Sequence, residues 1–102
     1  MTDHDALSQL LALAVDAARE RAADALGPLL AYDRDHSGDL VRTLQIYLAT
    51  GCNTSRAAEE LYLHRSGMLY RLRRIEELLA VRLDDIPTRT ALELALLSQQ
   101  AG

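Results

Sequence analysis

Five arginines fall within the span 56–74, at positions 56, 65, 71, 73 and 74. The last four share a stretch, Arg65 to Leu79, whose apolar residues recur at helical spacing. Guanidinium groups suit phosphate oxygens and the O6/N7 edge of guanine, which they can meet with paired N–H donors. Met68, Leu72, Ile75 and Leu79 make one stripe of the predicted helix. Ser66, Tyr70 and Arg73 lie opposite, with Gly67 and Arg74 beside them. A helix with an apolar back and an arginine-bearing front fits the major groove of B-form DNA, about 12 Å wide, with its N-terminal residues at the base edges. Arg65, at the helix start, is then the candidate for a base contact. Arg71, Arg73 and Arg74 are candidates for phosphates, which position a protein without reading sequence.

A shorter helix, about Thr54 to Leu61, must hold this one in place. Ala57, Ala58 and Leu61 share a side of it, and alanines there let a second helix cross closely. Asn53 precedes it as a natural N-cap, its side-chain oxygen accepting from an orphan amide of the first turn. Tyr62 to His64 leaves room only for a turn, with Leu63 as an apolar plug fixing the interhelical angle. His64 is either a phosphate donor when protonated or a partner for a nearby carbonyl. Thr54, Arg56, His64, Arg65, Ser66, Gly67, Leu69, Tyr70, Arg71, Arg73 and Arg74 form the expected DNA-contact set. The competing reading is a solvated charged face in which Arg73 meets Glu77 at i,i+4.

With LLAYDRDHSGDLVRTLQIYLATGCN before the pair and DDIPTRTALELALL after it, the chain from about Leu26 to Leu97 resembles the C-terminal helix-turn-helix domain of PucR-type (CdaR-like) bacterial transcriptional regulators, with a Fis-like bihelical core. The specific pieces are LLAYD at 29–33, GCN at 51–53, RAAEEL at 56–61, HR at 64–65 and YRLRRIEEL at 70–78. The resemblance implies the output domain of a cytoplasmic regulator that binds double-stranded DNA, with a regulatory domain N-terminal to it. Where the family commonly has a polar pair and then Leu-Arg, this chain has Ser66, Gly67, Met68 and Leu69. Gly67 offers no side chain to a base, and Leu69 either touches a thymine methyl or packs on a neighbouring helix. The target sequence is therefore not transferable from relatives.

The net charge of −4 argues against a nucleic-acid partner until it is mapped. Between Thr54 and Ile75, five arginines face two acids, a local +3; the other six arginines face thirteen acids, −7. With 102 residues, 49% apolar content, no Phe or Trp and only two Pro, the chain reads as one all-α module of about five helices with a Leu/Ala/Ile/Val core. No apolar run is long enough for a membrane span and no signal peptide is recognisable. The lone Cys52 has no partner for an intramolecular disulfide, which suits a reducing cytoplasm.

Ahead of the motif, residues 1–27 are expected to hold an amphipathic linker or dimerisation helix, with Leu7, Leu11, Ala14, Ala18, Ala22 and Ala25 on one stripe, widened by Leu10, Val15 and Leu26. Such a stripe is usually an intramolecular face, but two-fold DNA sites are read by two-fold proteins, which shifts the expectation toward a homodimer. Gly27 and Pro28 predict a break and Pro28 a new helical turn, so that residues 28–99 make up the helix-turn-helix domain. A helix over about Asp39 to Ala49 presents Leu40, Val41, Leu44, Tyr47 and Leu48 to the core and stops at Gly51. Val81 and Leu83 cover the end of the motif, and a last helix from about Pro87 to Gln99 follows Asp84 and Asp85.

Asp33, Asp35, Ser37 and Gly38 imitate the first half of an EF-hand loop, but Val41 and Leu44 stand where its ninth and twelfth ligands belong. The expectation is a polar connection in which Ser37 or Asp39 caps the next helix. His4, His36 and His64 lack partners at metal-ligand spacing, and no nucleophile triad or phosphate loop is present, so neither a metal, a cofactor nor catalysis is expected. The reading from another class is a helical interaction or dimerisation domain that has lost DNA binding, with Gly67 and Leu69 in its favour.

Overall fold

The computed structural model describes residues 3–101 and contains five helices: α1 Asp3–His36, α2 Leu40–Ala49, α3 Thr54–Glu60, α4 Arg65–Leu79 and α5 Ile86–Ala101. No strand occurs among the described residues. α1 lies along α5 and also meets α2 and α4, while α4 packs against α3, α2 and α1. The core is aliphatic, as the composition requires: Leu26 and Leu29 of α1, Leu44 of α2, Ala57 of α3, and Met68 and Ile75 of α4 are fully buried, with Leu92, Ala95 and Leu96 of α5 closing it. Thr43, also fully buried, was not expected among them. Its hydroxyl donates to the Asp39 carbonyl at 2.9 Å, which removes the cost of burying it.

The expected break at Gly27–Pro28 does not occur, and α1 runs through it without interruption. Proline deletes one amide and disfavours the helical conformation of the preceding residue, chiefly by crowding that residue's amide and Cβ. Here the preceding residue is glycine, with no Cβ to crowd. The carbonyl one turn back belongs to exposed Asp24, within reach of water. Leu26 and Leu29 then hold the helix into the core on both sides of the joint. The stripe expected on residues 1–27 is only partly used. Leu7, Leu10 and Leu11 stay 63–64% exposed and Ala14 and Ala25 are exposed, while Val15 is half-buried. Ala18 and Ala22 fall where side chains lie outside those described.

The connection from α1 to α2 also corrects an expectation. Neither Ser37 nor Asp39 caps α2 through its side chain. Asp33 does, reaching across seven residues so that its two carboxylate oxygens accept from the amides of Leu40 at 2.7 Å and Val41 at 3.0 Å. Ser37 instead takes the left-handed conformation (φ 50°) that reverses the chain. This assigns a structural role to the first aspartate of the calcium-like run. At the other end of α2, Gly51 and Cys52 are both left-handed, at φ 70° and 60°, and the Cys52 amide donates back to Tyr47 at 2.8 Å. α5 follows Asp84 and Asp85 as expected, and the second of them also caps it: Asp85 accepts from the Thr88 amide at 3.0 Å and from its hydroxyl at 2.7 Å.

Candidate nucleic-acid interface

Asn53 caps α3 as its type predicts, accepting from the Arg56 amide at 3.0 Å. Buried Ala57 and Ala58 form the close face on which α4 sits. α3 ends at Glu60, and Tyr62, left-handed and 95% exposed, turns the chain. Half-buried Leu63 is the plug, its amide bonded to the Ala58 carbonyl at 2.8 Å. His64 occupies the N-cap position of α4 in an extended conformation, exposed and without a side-chain capping bond. Arg65 is therefore the first helical residue of α4.

Met68, Leu72 and Ile75 turn inward. Facing the other way are Arg65, Ser66, Tyr70 and Arg73, all exposed, with Leu69 at the edge at 36%. Among the described residues neither Arg65 nor Arg73 has a carboxylate within ion-pair distance. The i,i+4 pair between Arg73 and Glu77 that belongs to the competing reading is replaced by an i,i+3 pair between Arg74 and Glu77 at 3.7 Å. On one flank of this strip a depression of about 590 Å³ is bordered by Thr54, Leu69 and Arg73 and reaches down to buried Leu72 and Leu83. Thr54 is half-buried there and Arg56, two residues on, is exposed.

On the other flank the arginines are engaged. Arg71 is half-buried and forms an ion pair with Asp39, while the same nitrogen donates to the Thr43 hydroxyl at 3.1 Å. Arg74 lies over the Tyr32 ring, 5.6 Å from its centroid. Its Nε is buried with no acceptor, and the guanidinium meets the electron-rich ring face as well as Glu77. Tyr32 and then Tyr70 beside it raise the Arg74 pKa above the ordinary arginine value, so its charge is permanent. Gly67 is half-buried, with open space where a Cβ would stand. Sequence reasoning assigned neither Asp39, Thr43 nor Tyr32 to this face. They lie 28 to 42 residues from their arginines, and no local spacing reports such pairs.

A short capped helix, a tight turn and a second helix with an arginine-bearing outer strip define a helix-turn-helix module of the DNA-binding kind found in transcriptional regulators. The model of the PucR C-terminal helix-turn-helix domain matches residues 40–98, and the chain belongs to that family. It is similar to the proline-responsive transcriptional activator PutR of Bacillus subtilis (strain 168), at 40% identity over 72 residues, covering 71% of this chain and 18% of the relative. It is likewise similar to the purine catabolism regulatory protein of the same organism, at 42% over 71 residues, covering 70% and 13%. A third relative, an uncharacterized protein in the pkwA 5' region of Thermomonospora curvata, is 38% identical over 95 residues, covering 93% of this chain and 51% of the relative. The chain thus spans less than a fifth of the two Bacillus regulators. No solved structure matches it. No described helix is long and apolar enough to cross a membrane.

Proposed function

We propose that this chain binds duplex DNA sequence-specifically, as the output domain of a cytoplasmic bacterial transcription regulator, with α4 lying in the major groove. The observation that carries the reading is the division of labour along α4, where Arg65, Ser66, Tyr70 and Arg73 are outward while Arg71 is held by Asp39 and Thr43. Arg65 reads a base edge, with Thr54, Ser66 and Leu69 around it. Arg56, His64, Tyr70, Arg73 and Arg74 meet the phosphate backbone, and Gly67 lets that backbone approach. Arg71 orients the helix from behind.

The longer protein carries a regulatory domain N-terminal to this one, a reading supported by the small share of the Bacillus regulators that the chain covers. It acts as a homodimer, since Leu7, Leu10, Leu11 and Leu13 of α1 are 63–65% exposed and close together, more apolar surface than a solitary helix end keeps in water. A dimer places two α4 helices on half-sites about one helical turn apart.

Fluorescence anisotropy across a salt series, with labelled DNA from upstream of the chain's own gene beside a scrambled duplex, tests this. Binding that weakens steeply with salt and prefers the native duplex is expected. Arg65→Ala should lose about 1–3 kcal/mol on the native duplex and little on the scrambled one. Equal loss on both would remove the base-reading role. Salt-insensitive self-association without DNA binding would favour an interaction domain instead, the reading to which the exposed α1 leucines also belong.

A further inference from the structure

The C-terminal end of α1 lies outside the helix-turn-helix, yet it borders α4. Between the two is a cavity of about 260 Å³ whose wall includes Tyr32, His36, Tyr70 and Arg74 together with the Asp39–Arg71 ion pair. Tyr70 belongs to the outward strip of α4, so the cavity opens beside the surface that faces DNA. The Tyr32 and His36 rings are stacked, 4.3 Å between centroids and 16° apart. His36 Nδ1 lies 3.1 Å from the Tyr32 carbonyl, which makes Nδ1 the protonated nitrogen and leaves Nε2 unengaged. With Arg74 over the other partner of the stack, one permanent cation and one titratable nitrogen share the cavity.

We propose that this cavity holds a phosphodiester of the bound duplex, with Arg74 and Tyr70 contacting it from α4 and His36 Nε2 from α1, stacked in place by Tyr32. The proposal rests on the DNA-binding reading and extends its interface to α1. The carboxylates nearby have partners already, Glu77 with Arg74 itself at 3.7 Å. Asp33 is bonded to the amides of Leu40 and Val41, Asp39 is paired with Arg71, and Asp35 lies 3.8 Å from Arg34. From α1 the charged and titratable groups around His36 are Tyr32, Asp33, Arg34 and Asp35. From the turn into α2 there is Asp39, and from α4 there are Tyr70, Arg71 and Arg74. Neutral His36 contributes one acceptor nitrogen, facing a group that offers no proton. Imidazolium contributes a donor and a charge. The contact is therefore stronger with the ring protonated.

The test is anisotropy with native and scrambled duplexes across a salt series at pH 8.0 and pH 5.5, on the wild-type chain, His36→Asn and His36→Lys. Asparagine retains a donor toward the Tyr32 carbonyl and lacks the outer nitrogen. Lysine carries its charge at both pH values. Circular dichroism and melting confirm that each variant is folded. The wild-type log–log salt slope should be steeper at pH 5.5, by about 0.9 per added phosphate contact, on both duplexes alike. H36N should lose that increment, and H36K should show the steeper slope already at pH 8.0. Exposed His64 is common to all three proteins and cancels from the comparison. An H36N chain that matches the wild type at both pH values, or an effect confined to the native duplex, overturns the phosphate contact while leaving the DNA-binding reading intact. Absence of wild-type binding to either duplex overturns both.

Discussion

Arg71 and Asp39, 32 residues apart, form an ion pair that fixes the middle of α4 to the start of α2, and Thr43 joins it one turn along. An arginine that the pattern of α4 assigns to phosphate is thereby engaged in holding α4 at its angle. Arg73, two residues on, is exposed and has no such partner among the described residues.

The two arginines should therefore separate in experiment. Arg73→Ala is expected to leave the melting temperature unchanged, to weaken binding to native and random DNA alike, and to lower the salt slope by about one. Arg71→Met should do the converse. It should lose up to about 1 kcal/mol of stability, since the pair is partly exposed, with little change of slope. A slope that falls with Arg71 and not with Arg73 would reverse the assignment.

Asp33 gives a second test. Removing the carboxylate that accepts from two amides of the first turn of α2 should cost about 1–2 kcal/mol in urea denaturation of Asp33→Ala. Ser37→Ala should stay within roughly 0.5 kcal/mol of the wild type. If Ser37→Ala were the costlier change, the cap would have been misplaced.

The Gly27–Pro28 pair makes a non-additive prediction. Pro28→Ala restores an amide to α1 and should raise stability by about 1–2 kcal/mol, the helical penalty of proline less its stiffening of the unfolded chain. Gly27→Ala alone puts a Cβ against the proline ring and should destabilise. In the Pro28→Ala background the same change should stabilise, by about 0.5–1 kcal/mol. A double-mutant cycle with no coupling would mean that α1 bends away from the helical path there.

Tyr47 sets the alkaline limit. Its burial, and secondarily Cys52, pushes the phenol above its usual value near 10. The folded chain holds that proton more tightly than the unfolded one. The stability it contributes is complete below pH 10 and is lost as pH rises further. Melting curves from pH 8 to 11 should fall beyond pH 10, and Tyr47→Phe should flatten the fall. An unchanged fall would place the alkaline transition elsewhere.

The exposed leucines predict assembly. Sedimentation of the wild type should show a dimer, and Leu10→Glu with Leu11→Glu should give a monomer whose melting is preserved, since neither residue belongs to the core. A wild-type monomer at all concentrations would remove α1 as the dimer contact.

What the sequence made legible was what neighbouring residues decide among themselves. The Asn53 cap, the Ala57–Ala58 face, the Leu63 plug and the inward stripe of α4 each follow from spacing within a turn or two. Asp33 could not be identified as a cap because it acts from seven residues upstream, across a left-handed Ser37 that has no strong type signature. Arg71 and Arg74 look alike in the pattern of α4, and only the arrival of α2 and α1 decides that one meets Asp39 and the other Tyr32. Pro28 misled for a related reason. Its penalty is local and readable, whereas the burial of Leu26 and Leu29 that offsets it depends on the whole core.

The unbroken α1 has a mechanical consequence. Its 34 residues make a rod of about 51 Å, close to the 53 Å longest dimension of the molecule. One end carries the bare leucines; the other is clamped by Asp33 to α2 and by Tyr32 to Arg74 of α4. One uninterrupted helix thus joins the leucines to the residues that hold α4. The reading of DNA proposed for α4 would then be open to adjustment from the leucine-bearing end of α1, through one continuous helix.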